Sequence, residues 1–193
     1  VTQLTALPLV LIVSPSLPVN SVAELIALGK AKPGSLTVAS VGAGTAQHLA
    51  GELFRAQAGL EWVHVPYKGS APAFTDLLGG QTEAMFPGLA AALPHIRSGR
   101  VRALAVTGAV RHPVLDNVPT MIEAGFKGFD AMQWYGVVAP AGLPAPVLRT
   151  LNETLNATLA SATLRERLSS EAVQPQPMAP EAFAAYIRED IAR

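Results

Sequence analysis

Half of the 193 residues are hydrophobic and only 15% are charged, so the chain can bury a core and does not read as disordered. Fourteen basic residues balance fourteen acidic ones without clustering, which leaves no net field to draw the chain to nucleic acid or anionic lipid. The absence of cysteine excludes disulfides, thiolate metal sites and a cysteine nucleophile.

The apolar stretch at 7–13 is too short to span a bilayer and lacks the basic flank of a signal peptide. Strand-like sequence begins within a few residues of Val1, and Ile191-Ala192-Arg193 lies inside a helical pattern with no Gly or Pro stop. The chain is therefore expected to be a piece of a longer protein.

In chain order, Pro8-Leu9-Val10-Leu11-Ile12-Val13 predicts a buried strand. Ser21-Val22-Ala23-Glu24 is a capping box, and the helix it opens stops at Pro33-Gly34. A strand over 36–40 leads through Val41-Gly42-Ala43-Gly44 to Thr45, which caps a helix with Leu49, Leu53 and Phe54 on one face. A strand over 62–65 leads through Pro66-Tyr67-Lys68-Gly69-Ser70 to a helix with Pro72 in its first turn and Gly79-Gly80 past its end. A strand at 82–86, a helix at 89–97 and a strand at 102–107 follow. Residues 108–128 are turn-rich, with a short helix near 121–124. A strand over 133–139 precedes a helix with Leu148, Leu151, Leu155 and Leu159 at helical spacing, and Pro180 opens a last helix through Phe183, Tyr186 and Ile187. This alternation predicts an α/β fold, a largely parallel sheet flanked by helices, with its ligand at the carboxyl ends of the strands.

Two strand-to-helix loops there are rich in Gly, Ser and Thr. In Ser40-Val41-Gly42-Ala43-Gly44-Thr45 the glycines allow close approach of backbone N–H groups, the hydroxyls add donors, and the helix N-terminus favours negative charge. Two glycines in such a turn also have a purely steric reading. Tyr67-Lys68-Gly69-Ser70-Ala71-Pro72 repeats the design one unit later, with Lys68 either supplying charge or solvated and Tyr67 either walling the site or packed. The candidate ligand-binding residues, for a carboxylate or a phosphate, are Ser40, Gly42, Gly44, Thr45, His48, Tyr67, Lys68, Gly69, Ser70 and Ala71. His48 either touches the anion or lines the turn, and His64 reads as a core or rim residue.

Other chemistries find little support. Gly42-Ala43-Gly44 opens like a dinucleotide fingerprint, but Gln47 holds the third glycine position and Glu61 precedes its strand. No phosphate-loop Lys-Ser/Thr and no Gly-x-Ser-x-Gly elbow occurs, and the four histidines lack metal-ligand spacing. The expectation is a binding module that is not an enzyme and needs neither cofactor nor metal. The competing readings are an acyl-transfer or nucleotide-dependent enzyme and the ligand-sensing domain of a regulator.

The run Gly42-Ala43-Gly44-Thr45-Ala46-Gln47-His48-Leu49-Ala50-Gly51-Glu52-Leu53-Phe54 is uncommon. Taken with Val63-His64-Val65-Pro66-Tyr67-Lys68-Gly69-Ser70-Ala71-Pro72-Ala73, Asp76-Leu77-Leu78-Gly79-Gly80-Gln81, Leu93-Pro94-His95-Ile96, Val118-Pro119-Thr120 and Gly136-Val137-Val138-Ala139-Pro140-Ala141-Gly142, it resembles the Bug-type substrate-binding proteins of tripartite tricarboxylate transporters over nearly the whole chain. The resemblance implies a type II periplasmic-binding-protein-like fold, N-terminally truncated, in a periplasmic receptor that passes a small carboxylate to a membrane permease. It maps 14–132 to the second, ligand-binding lobe, and 1–13 and 133–193 to a remnant of the first lobe plus crossing strands. Apolar surface left uncovered at 9–13 and 137–139 would favour self-association. Where the family often has Phe-Asp, this chain has Phe86-Pro87, which points away from amino acids and toward plain mono- or dicarboxylates.

Overall fold

The computed structural model describes residues 1–192. The N-terminal apolar run forms two successive strands, β1 (Thr2–Pro8) and β2 (Val10–Val13). Every residue of β2 is buried, because both faces and both edges of this strand are covered; hence the run is continuously apolar instead of alternating. Ser21 caps α1 (Val22–Ala31) by accepting the Glu24 N–H at 3.2 Å. The Glu24 carboxylate reaches one residue further back than a regular capping box, accepting the Asn20 N–H at 2.8 Å. There follow β3 (Leu36–Ser40), α2 (Ala46–Ala58), β4 (Trp62–Pro66), α3 (Ser70–Leu78), β5 (Ala84–Met85), α4 (Leu89–Arg97) and β6 (Arg102–Val106). The last part of the chain carries β7 (Met132–Val137), α5 (Ala145–Ala160), α6 (Ala162–Ser170), β8 (Gln174–Pro175) and α7 (Pro180–Ala192).

Two compact units divide the chain: Pro8–Gln133, and Val1–Leu7 with the chain from Trp134 onward. The larger unit holds a five-stranded sheet in the order β4-β3-β5-β2-β6. β3 is parallel to β4 and to β5, while β2 runs against both of its neighbours. Leu9, Leu11 and Val13 project into a core with Leu25, Leu36, Val38, Phe54, Phe86, Met121 and Phe129. The uncovered patch expected at 9–13 is therefore absent: Leu9, Val10, Ile12 and Val13 are 0% exposed, because pairing with β5 and β6 makes β2 an interior strand. Fully buried Thr107 ties this region together, accepting the Leu9 N–H at 2.9 Å through its hydroxyl and donating to the Ala131 carbonyl.

Two helical expectations need correction. On α2 the buried face is Gln47, Ala50, Gly51, Phe54 and Ala58, whereas Leu49 and Leu53 are 59% and 38% exposed. Small residues face inward because the helix lies close against the sheet; a Cβ on Gly51 would sit 3.7 Å from the Trp62 ring. Residues 121–124 form one turn and not a helix. Thr120 and Glu123 close a reciprocal capping box, at 3.0 and 2.7 Å, and Gly125, at φ +102°, ends it. A 3₁₀ turn at Pro113–Leu115 and the separate helix α6, divided from α5 by extended Ser161, were not anticipated.

The smaller unit pairs strands in the order β7-β1-β8, with β1 antiparallel to β8. Thr2, Asn152, Asn156 and Met178 form its polar joint. Thr2 Oγ1 donates to Asn156 Oδ1 at 2.9 Å and accepts the Met178 N–H at 3.1 Å, and Asn152 donates to the Met178 carbonyl at 2.8 Å. Of the four leucines at helical spacing on α5, only Leu159 is buried. Phe183 of α7 is the apolar anchor, 1% exposed, with Trp134 edge-on at 5.7 Å.

Candidate functional site

β3 and β4 are parallel neighbours whose last pair is Ser40↔Pro66, so the loops that follow them leave the same edge of the sheet. The ladder extends one step beyond it, where the Tyr67 N–H donates to the Ser40 carbonyl at 2.9 Å. Both loops contain backbone that only glycine adopts readily: Gly42 at φ +135° and Gly69 at φ +113°.

The first loop is built around Ser40 and Thr45. Ser40 is 1% exposed; its Oγ accepts the Gly42 N–H at 3.2 Å and lies 2.7 Å from His64 Nε2. Thr45 donates to the Gly42 carbonyl at 2.8 Å and caps α2 by accepting the His48 N–H at 3.4 Å. His48, in the first turn, accepts the Gly44 N–H on Nδ1 at 3.1 Å, and its ring stacks on His64 with centroids 4.1 Å apart. Beneath them a cavity of about 10 Å³, lined by Ser40, Gln47, His48, Glu52, Trp62 and His64, has room for about one water. A carboxylic acid does not fit there.

In the second loop the Tyr67 hydroxyl donates to Asp76 at 2.7 Å, and its pKa is pushed up to about 12 by burial and by that carboxylate. The phenol is thus committed to α3. Lys68, Ser70 and Ala71 are exposed and Gly69 is half-buried. Gly69 caps α3 with no side-chain hydrogen bond, and Pro72 carries no N–H, so the uncapped donors at this end are backbone groups before Pro72. A larger cleft, of about 320 Å³, lies at the start of α1 beside Asn117 and Pro119; Ser21 and Glu24 already cap that helix end.

The structure brings Ser40, Gly42, Gly44, Thr45 and His48 into one cluster and sets Tyr67, Lys68, Gly69, Ser70 and Ala71 beside it on the same sheet edge. His64 and Glu52 are the participants that sequence reasoning left out. His64 lies two residues after Trp62 on the alternating pattern of β4, but its tie to Ser40 and His48 needs the sheet. Burial first, and then neighbouring His48, hold the His64 pKa below its ordinary value, with Glu52 acting the other way. Burial raises the Glu52 pKa, but Arg55, at 2.7 Å, and the Trp62 indole outweigh it and leave the carboxyl below its usual range. Gln47 is buried and donates to Gln133 Oε1 at 3.1 Å, a packing role.

These shifts set a pH dependence of stability. Burial also depresses His112, whose Nδ1 accepts the Val114 N–H at 3.4 Å and whose buried Nε2 has no partner among the described residues. Below the ordinary value of 6.5 the unfolded chain protonates both His64 and His112 while the native state resists, so the native state binds fewer protons. Stability is full above that pH and is lost as pH falls through the folded-state values. Glu52 and Glu123, also depressed, act only below 4.5. The thermal midpoint followed by circular dichroism should fall between pH 7.5 and 5.5, and His112→Asn, which keeps an acceptor for Val114, should lessen that fall.

No helix among the described residues is long and apolar enough to cross a membrane. Residues 1–193 match the family described as Tripartite tricarboxylate transporter family receptor. Protein BugT of Bordetella pertussis is 37% identical over 193 residues, all of this chain and 59% of its own length. Among solved structures, R. palustris Rpa4515 with adipate superposes at a TM-score of 0.94 with 37% identity, over 100% of this chain and 64% of that one. MatC from Rhodopseudomonas palustris with bound malate superposes at 0.93 with 31% identity, over 100% and 67%. The fold is that of periplasmic binding proteins. The chain spans between half and two thirds of the length of these relatives. A match along its whole length, with these superpositions, makes this chain a member of the tripartite tricarboxylate transporter receptor family.

Proposed function

We propose that the chain is the ligand-binding part of a periplasmic solute receptor that takes a small mono- or dicarboxylate, without chemistry of its own, and passes it to a membrane permease. The observation that carries this reading is the pair of glycine-rich helix starts on one sheet edge, one of them uncapped by any side chain. Backbone N–H groups at helix ends suit a carboxylate, and little fixed charge accompanies them. The adipate and malate bound to the two R. palustris relatives are ligands of this class. Pro87, buried at the end of β5 on the same edge, leaves no acid there to hold an amino group, which favours plain carboxylates over amino acids. On this reading 14–132, which lie within the compact unit Pro8–Gln133, are the second lobe, 1–13 and 133–193 are a remnant of the first lobe plus crossing strands, and the exposed Tyr135, Val138, Val147 and Leu151 are where self-association would begin.

Isothermal calorimetry of the full-length gene product against carboxylates, amino acids and sugars tests the assignment. Adipate or malate should give a saturable heat that Gly42→Ala weakens, since a side chain at φ +135° costs on the order of 1–3 kcal/mol of strain. Tight sugar binding with no response to any carboxylate would reject it.

A further inference from the structure

Gly44 offers one of the first-loop N–H groups that a carboxylate would use, yet it already donates to His48 Nδ1 at 3.1 Å. A ligand oxygen and that nitrogen are competitors for the same hydrogen. An imidazole whose Nδ1 has lost its donor has an exposed lone pair, and next to a bound anion that lone pair favours a proton. Resting on the carboxylate reading above, we propose that ligand binding is coupled to uptake of one proton by the stacked His48–His64 pair. The ligand takes the Gly44 N–H, and the released His48 Nδ1 takes a proton from solvent, becoming a further donor to the carboxylate.

The surroundings limit the uptake to one proton. With ring centroids 4.1 Å apart, two imidazolium ions side by side are disfavoured, so one proton and not two is taken up. From α2 the pair is faced by Glu52, which favours the charged state, and by Arg55, which is held to Glu52 at 2.7 Å and partly cancels it. From β4 comes His64 itself, and the loop beyond carries Lys68, exposed, and Tyr67, tied to Asp76. From β3 comes the uncharged Ser40, whose hydroxyl can adapt to either state of His64. It donates to a neutral Nε2 at 2.7 Å, or accepts from a protonated one while donating to the Gly42 carbonyl at 3.2 Å. His64 is therefore a positioning residue for the loop, and His48 the nitrogen that ligand displaces.

Calorimetry of adipate and malate binding to the full-length gene product, at one pH in buffers of different ionisation enthalpy, counts the protons. Working above about pH 6.5 keeps both acids ionised. The expected result is a net uptake of up to one proton and an affinity that rises by up to about tenfold for each unit of decreasing pH. His48→Gln, which still accepts from Gly44 but does not titrate in this range, should abolish both effects while binding persists. His64→Gln should keep the Ser40 contact and leave the uptake of one proton in place, because the proton goes to His48. Heats independent of buffer with a flat pH profile would overturn the coupling and leave the carboxylate reading standing, as would a His48→Gln protein with unchanged pH dependence. No heat from either acid at any pH would instead overturn the carboxylate reading itself.

Discussion

Phe54→Ala is expected to lower the unfolding free energy by about 3–5 kcal/mol, more than any surface substitution on the same helix. Phe54 is 0% exposed and meets Trp62, Phe86 and Phe126 at centroid distances of 6.0, 5.9 and 5.1 Å. These partners come from β4, from beside β5 and from the turn after Met121, so the cavity cannot be closed by moving one neighbour. Because Phe54 is the largest inward residue of α2, its loss loosens the helix whose first turn carries Thr45 and His48. Urea unfolding followed by circular dichroism reads the stability loss, and adipate titration below the transition reads the effect on the loop. Leu49→Ala is the matched control. Its side chain is mostly in solvent, and the change should stay within about 0.5 kcal/mol. Equal losses for the two variants would mean that α2 packs by its other face.

Gly136→Ala should destabilise the smaller unit by about 1–3 kcal/mol although it adds a single methyl group. A Cβ on Gly136 would lie 2.2 Å from Phe183 Cζ and 2.9 Å from Cε1. The Phe183 ring has nowhere to recede. Trp134 stands edge-on to it at 5.7 Å, Tyr186 backs Trp134 at the same distance, and the Trp134 indole donates to Asp190 at 2.9 Å. The chain has two tryptophans, so a change in fluorescence with Trp62→Phe as background reports on Trp134 alone. Pairing Gly136→Ala with Phe183→Leu should recover part of the loss, since the residues touch and their effects are not additive. Full additivity would place the clash elsewhere.

Local chemistry was legible from the residues because it acts over one or two turns. Ser21 and Thr45 mark the starts of α1 and α2, the glycines mark the ends and loops, and the helix at 89–97 follows from its own pattern. The short helix expected near 121–124 is a single turn, because Thr120 and Glu123 close a capping box and Gly125 ends the turn. The leucines of α2 misled for a different reason. An apolar residue on a helix shows only that some face is apolar; the face that packs here carries Phe54 among Gln47, Ala50, Gly51 and Ala58, and leaves Leu49 and Leu53 toward solvent.

The sequence by itself determined the α/β alternation, the two glycine-rich helix starts and the family resemblance, each of which is written in residues adjacent along the chain. Only the tertiary structure decided that β2 runs antiparallel in the interior of the sheet and that His64 reaches both Ser40 and His48. The reason is range. Caps and turns are set by hydrogen bonds over a few residues, whereas strand order is a choice among whole-sheet packings whose energies depend on every buried face at once. His48 and His64 are on different elements, and no local pattern shows that two half-buried imidazoles will stack. The parallel pairing of β3 with β4, with α2 laid across both, puts them there.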